Sequence, residues 1–289
     1  MNYSRRAWLK TSALLTALAT TGLSALSDDR ARIKISACDW SLGKSSDPAS
    51  FAIARQIGLQ GVQLNMGNLQ NDLHLRQPEV LNKFIASSKD KGITISGVAI
   101  AEMNRVPYKS DERTDQWVSD AIDVAAACGV KVVLLAFFDK GDLRNDPNGV
   151  AMVIEKLKRV APKAEKHGVI LGIESYLSAP ELIRMMDRVD SSNVQVYYDF
   201  RNSADAGYDV IKEVKQLGKE RICELHMKEN GSLLRDGTMD WTSICDTLIS
   251  MDYIGSGWMQ IEGAIPANGE TIASYKDNLA FLQEKFRYS

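Results

Sequence analysis

The stretch Ile222-Cys223-Glu224-Leu225-His226-Met227-Lys228 decides the fold. Its residues alternate: Cys223, Leu225 and Met227 are one set, Glu224, His226 and Lys228 the other. Side chains of a β-strand point in turn to opposite faces, so the two sets lie on two sides of one strand. The apolar set is expected to pack on helices. The polar set is expected in a barrel interior, where a layer of charge needs partners or a metal ion.

Other runs repeat this parity. In GVQLN (61–65), Val62 and Leu64 oppose Gln63 and Asn65; in GWMQIE (257–262), Met259 and Ile261 oppose Gln260 and Glu262. In VQVYYD (194–199), Val194, Val196 and Tyr198 oppose Gln195, Tyr197 and Asp199. Four runs end on a residue able to bind metal: VILGIE on Glu174, VQVYYD on Asp199, ICELH on His226 and GWMQIE on Glu262. Their separations of 25, 27 and 36 residues each fit one strand followed by one helix.

Eight strands are read in all: RIKISAC, GVQLNMG, ITISGVAI, VKVVLLAFF, VILGIES, VQVYYDF, ICELHMK and GWMQIEG. Amphipathic stretches such as PEVLNKFIASSKDKG and VAMVIEKLKRVAPKAEKHG separate them, and several close on a glycine that accepts the left-handed conformation of a helix C-terminus. Eight strand–helix units match an α/β fold of one domain, a (β/α)8 TIM barrel, whose chemistry sits at the C-terminal strand ends. An open doubly wound sheet is the alternative. The turn ACDWSLGKS (37–45) after the first strand lacks the GxGxxG of such a fold.

The chain has 289 residues, 45% hydrophobic and 25% charged, which supports a sizeable core. A formal charge of −2 gives no basic surface for nucleic acid. Four scattered cysteines with no CxxC pair do not make a zinc ribbon, and free buried thiols are expected.

The N-terminus carries Arg5-Arg6, then Trp8-Leu9-Lys10 and a moderately apolar stretch, TSALLTALATTGLSAL. This resembles a twin-arginine (Tat) signal peptide over residues 1–27, with the barrel at 28–289. An uncleaved amphipathic helix or membrane anchor is the alternative. Cleavage after Ser27 removes three cations and takes the formal charge from −2 to −5. Export to the periplasm and no stable membrane span after cleavage are the expectations.

Three carboxylates and one imidazole on one interior face suit a divalent ion, Mn, Mg or Co, with Zn also admitted. Around them, Lys228, Arg201, Asn202, Asn65 and His74 are candidate contacts to a bound substrate. Trp40 and Trp258 are candidates for stacking on a bound ligand or for core packing. Asp240 reads as a helix N-cap and Asp236-Gly237 as a turn.

GIESYLS, QVYYDFRNS with AGYD, ELHMKENG with DGTMDW, and GWMQIEG resemble the sugar phosphate isomerase/epimerase family, within the xylose-isomerase-like barrel superfamily. The resemblance covers essentially all of the chain after the leader and is most specific from residue 169 to 264. It implies that Glu174, Asp199, His226 and Glu262 hold one divalent metal, and that Glu174 and Glu262 serve as acid and base. Its implied reaction is isomerisation or epimerisation of a sugar or keto-sugar by proton abstraction α to a carbonyl, through a metal-stabilised enediolate. The chain departs from the family at His226-Met227-Lys228-Glu229, where HxKD is common, and at Asp199-Phe200-Arg201-Asn202, where DxGN is common. Arg201 brings a bulky cation where the family has glycine.

Competing functions are a lyase or dehydratase of a keto-sugar or keto-cyclitol, and a sugar-binding barrel without catalysis. A DNA-repair endonuclease on this barrel needs three metals and many histidines, and the chain has three. The expected partner is a small sugar, not nucleic acid; export disfavours a phosphorylated one, and the sequence leaves a homo-oligomer open.

Overall fold

The computed structural model describes residues 33–287. Eight parallel strands close into a barrel in sequence order: β1 (Lys34–Cys38), β2 (Gly61–Asn65), β3 (Thr94–Ile100), β4 (Val132–Phe137), β5 (Ile170–Ser175), β6 (Val194–Asp199), β7 (Ile222–Lys228) and β8 (Trp258–Glu262). Parallel neighbours need a long return, and helices supply it: α1 (Ser50–Ile57), α2 (Pro78–Lys91), α3 (Arg113–Cys128), α4 (Pro147–His167), α5 (Ala179–Val189), α7 (Val210–Leu217) and α8 (Trp241–Ser250), with α9 (Thr271–Arg287) after the last strand. A further six-residue helix, α6 (Phe200–Asp205), starts directly at the end of β6. The (β/α)8 barrel expected from the alternation is the fold observed. The leader expected at 1–27 lies outside the described residues.

Local chemistry accounts for the helix ends. Asp146 and Asp240 accept a backbone N–H from Gly149 and Ser243 and start α4 and α8, the latter as expected. Ser178 and Glu181 form a capping box on α5. Gly168 closes α4 at φ 63°, a region costly for residues with a Cβ.

The outward strand residues, among them Val62, Leu64, Val196, Leu225, Met227, Met259 and Ile261, are buried in one core with the inner faces of the helices. The inward set is smaller and asymmetric. Gln63, Glu224, His226 and Gln260 make a buried polar side, while Ala99, Val132, Leu134 and Ala136 make an apolar wall on β3 and β4. Cys223 corrects the parity reading. A register shift between Val196 and Tyr197 of β6 lets its thiol join the inner cluster instead of packing outside with Leu225 and Met227. All four cysteines are free.

Candidate metal centre

The register places the four expected ligands. Asp199 lies opposite His226 on the neighbouring strand, and Lys228 opposite Glu262. Glu174 enters from β5 beside Ser175, the last residue of that strand. The His226 ring is fully buried, with Nδ1 2.9 Å from Glu174 Oε1, 3.4 Å from Glu262 Oε2 and 3.7 Å from Asp199 Oδ2. One ligand atom from each of the four falls within 4.8 Å of the others. Residues far apart in sequence are thus brought to one point at the mouth.

Two features fit this cluster to a divalent cation. Asp199 Oδ2 is buried and accepts no hydrogen bond; its other oxygen, Oδ1, caps α6 by accepting the Asn202 N–H at 2.8 Å. The Lys228 ammonium lies 3.5 Å from Oδ2 without hydrogen-bond geometry, and a buried oxygen left without a hydrogen bond costs about 1–3 kcal/mol. Glu262 Oε2 has Lys228 Nζ at 3.0 Å, an ion pair without hydrogen-bond geometry, so this oxygen is unsatisfied as well. Both oxygens lie toward His226 Nδ1, and the donor set of three carboxylates and one imidazole suits Mn, Mg or Co, and also Zn.

The charges polarise one another. Burial raises the Glu174 carboxyl above the usual range, and the neighbouring His226 only partly offsets this. Burial also acts to raise Glu262, but His226, Lys228 and the Trp40 N–H outweigh it and hold Glu262 at about 2. Lys228 is pushed up: burial opposes its charge, while Glu262, Asp199 and Glu174 stabilise it.

The centre opens into a cavity of about 350 Å³, within the range of small-molecule sites. Glu174, Glu262, Lys228 and Asn202 form its polar side; Ala99, Leu134, Ala136 and Phe138 face them. Trp40, Asn65, Ala101, Asn104 and Tyr176 complete the lining. Tyr176 is fixed edge-to-face on Phe138, with centroids 4.8 Å apart, and by the Arg144 guanidinium 4.3 Å over its ring. A second depression of about 330 Å³, lined by Val150 of α4 and Met185 of α5 among others, contains none of the clustered groups.

Of the expected substrate contacts, Lys228, Asn202, Asn65 and Trp40 line the cavity. Asn202 Nδ2 reaches Glu174 Oε1 at 3.4 Å, and its Oδ1 accepts from Lys228 at 3.3 Å. Trp40 sits in the turn after β1, and its indole N–H donates to Glu262 Oε1 at 2.8 Å.

Arg201 and His74 are not brought to the cavity. Arg201 turns away to Asp205 at 2.7 Å, Thr238 at 2.7 Å and buried Glu229 at 3.4 Å, because α6 presents it outside the mouth. His74 lies edge-on to Phe84 of α2, centroids 6.2 Å apart, among the packing behind β2. Of the two roles open to Trp258, packing is the one observed: as the first residue of β8 it sits at the N-terminal end of the barrel, over Gly61. Sequence reasoning did not single out Phe138, Tyr176 or Asn104. The first two directly follow the ends of β4 and β5, and that position was the available signal.

A family profile described as xylose isomerase-like TIM barrel matches residues 51–285, more than half of the chain. No protein of curated function matches the sequence. Among solved structures, a D-psicose 3-epimerase from Clostridium cellulolyticum H10, crystallised with D-tagatose, superposes with a TM-score of 0.73 at 16% identity, covering 88% of this chain and 99% of the other. An L-ribulose 3-epimerase gives 0.73 at 15%, covering 88% and 95%. A 3-keto-D-glucoside 4-epimerase from E. coli gives 0.67 at 15%, covering 88% and 100%. At these identities the likeness establishes the fold alone.

Proposed function

The chain belongs to the xylose isomerase-like TIM barrel family, and from that premise we propose that it is a divalent-metal-dependent isomerase or epimerase of a sugar or keto-sugar. The observation that carries this reading is the placing of Glu174 and Glu262 on one small cavity with Asp199 and His226 between them on the barrel. The similar structures named above are sugar epimerases, which supports the same class of chemistry.

Glu174, Asp199, His226 and Glu262 would hold the ion. When bound, the ion supplies Lewis-acid polarisation of a substrate carbonyl. One of the two glutamates removes the proton α to that carbonyl, and the other returns a proton, giving the epimer or the shifted carbonyl. Lys228, beside Glu262 and Asn202, is placed to donate to a substrate oxygen that gains negative charge. Asn202 and Asn65 offer amide groups to hydroxyls. The apolar wall of Ala99, Leu134 and Ala136 excludes water from the reacting carbons.

The favoured substrate is an unphosphorylated sugar. Lys228 is the one cation lining the cavity among the described residues, and Glu262 and Asp199 already occupy it. Export by the Tat route fits that choice, because phosphosugars are mainly cytoplasmic. Cell fractionation of the chain and of an Arg5→Lys/Arg6→Lys variant tests export: the parent should be periplasmic and the variant retained.

Metal-loaded protein incubated with a panel of ketoses and 3-keto sugars tests the activity. An epimer or isomer is the expected product. A product lighter by one water would assign the site to a lyase. Tight binding of a sugar with no conversion of any would reduce it to a binding barrel.

A further inference from the structure

Below the four clustered side chains, the inner face of the barrel carries a second layer that none of the steps above employs. His226 presents Nδ1 to the carboxylates and Nε2 to the floor, where Gln63 Oε1 lies 3.3 Å away. Gln63 Nε2 in turn donates to the Tyr197 hydroxyl at 3.1 Å, and the buried carboxyl of Glu224 lies near Tyr197. Gln260 Nε2 also donates to Glu224, at 3.0 Å. Gln63, Tyr197, Glu224 and Gln260 are all essentially inaccessible to water.

The backbone is cut to admit this layer. A Cβ on Gly97 would lie 3.3 Å from Gln63 Nε2 and 3.4 Å from Glu224 Oε2. A Cβ on Gly172 would meet Cys223 Sγ at 2.9 Å and the Tyr197 ring at 3.2 Å. Two inward positions that would otherwise fill the floor are therefore left empty for the amide and the phenol.

We propose that Gln63 is a positioning residue for the metal centre, whose amide oxygen, oriented by Tyr197, takes the Nε2–H of His226 and so leaves Nδ1 to face the ion. The inference rests on the metal-centre reading above. Its logic is one of donors and acceptors. An imidazole that binds a cation through one nitrogen carries its proton on the other, and that N–H needs an acceptor. The His226 ring is buried, so water cannot serve. Cys38 Sγ, at 3.4 Å, is the other group beside Nε2, but it points its own weak donor at Gln63 Oε1 at 3.3 Å. An amide can present either end; with its NH₂ on the Tyr197 oxygen, the oxygen end is the one left for His226.

The test uses the full chain with His74 and His167 replaced by Gln, which leaves His226 as the only histidine. Zinc or magnesium binding is measured by titration calorimetry, and the zinc-loaded ring N–H is followed by ¹⁵N–¹H correlation. Gln63→Leu should weaken metal binding by about 10- to 100-fold, as loss of a partner to a ligating histidine does, and the His226 Nε2–H should exchange faster than in the parent. Gln63→Glu, which keeps an acceptor, should hold affinity within about threefold of the parent, and Tyr197→Phe should give an intermediate loss even where Gln63→Leu fails to fold. A folded Gln63→Leu protein with parental affinity and a protected N–H would overturn the role of Gln63 alone. A parent that binds neither ion would overturn the metal centre itself.

Discussion

Trp40 Nε1 donates to Glu262 Oε1 at 2.8 Å, joining the turn after the first strand to the end of the last across 222 residues of sequence. The bond occupies one carboxylate oxygen and turns the other, Oε2, toward His226 and Lys228. An aromatic ring read as a stacking surface or as core packing thus has another task, which is to aim a glutamate.

Trp40→Phe keeps the ring and removes that donor. A hydrogen bond to a charged group contributes about 1.5–3 kcal/mol, so kcat/KM should fall about 10- to 100-fold. Thermal stability should change little by comparison. Steady-state kinetics beside a melting curve checks this; unchanged kcat/KM would deny the bond any part in orienting Glu262.

Removing a ligand should empty the centre. Glu174→Ala and His226→Ala should each retain the fold and weaken the bound ion by about 100-fold or more. Metal analysis after gel filtration reads the result directly. A chelator should lower the melting temperature of the parent and leave that of His226→Ala unmoved.

Lys228 separates binding from turnover. Its ammonium repels a cation while neutralising Glu262 and Asp199. Lys228→Met should therefore bind metal at least as tightly as the parent and turn over about tenfold or more slowly. Calorimetry with kinetics on one preparation distinguishes this from general damage, which would weaken both.

Much of the site was legible because barrel geometry turns two simple periodicities into position. Strand parity put Glu174, Asp199, His226 and Glu262 on the inside, and their place at the ends of apolar runs put them at one mouth. What parity cannot carry is anything set by a single irregularity. The register shift at Val196/Tyr197 turned Cys223 inward. The six residues of α6 are too few to show a helical period, and their direction swings Arg201 out while keeping Asn202 in. In sequence Trp258 is open to stacking or packing, and its place at the start of β8 decides for packing. Contacts such as Trp40 to Glu262 join elements distant in sequence and leave no local trace.

Asp39 gives a pH dependence of folding. Its carboxyl is fully buried and pushed up by burial to about 8, with the Asn65 and Ser46 backbone N–H groups only partly offsetting this. The unfolded carboxyl ionises near its ordinary value of 3.8, so above that pH the unfolded state binds fewer protons than the native state. The native state accordingly loses stability as pH rises from about 4 to about 8, and levels off beyond. Asp39→Asn lacks this group. In urea unfolding of metal-free protein, its stability relative to the parent should improve between pH 5 and pH 9 by a few kcal/mol, on the order of 1.4 kcal/mol per pKa unit. A parent and variant that track each other over that range would place the Asp39 carboxyl in a far less buried setting.

In the proposed reaction two glutamates move a proton at the carbon next to a carbonyl. Metal-loaded protein, a substrate it converts, and D₂O test it most directly, with the product read by proton NMR and mass spectrometry. One solvent deuteron is expected at the α-carbon, and it should be lost together with turnover in Glu262→Gln. Conversion that carries no solvent deuterium, or that survives unchanged in Glu262→Gln, would contradict it.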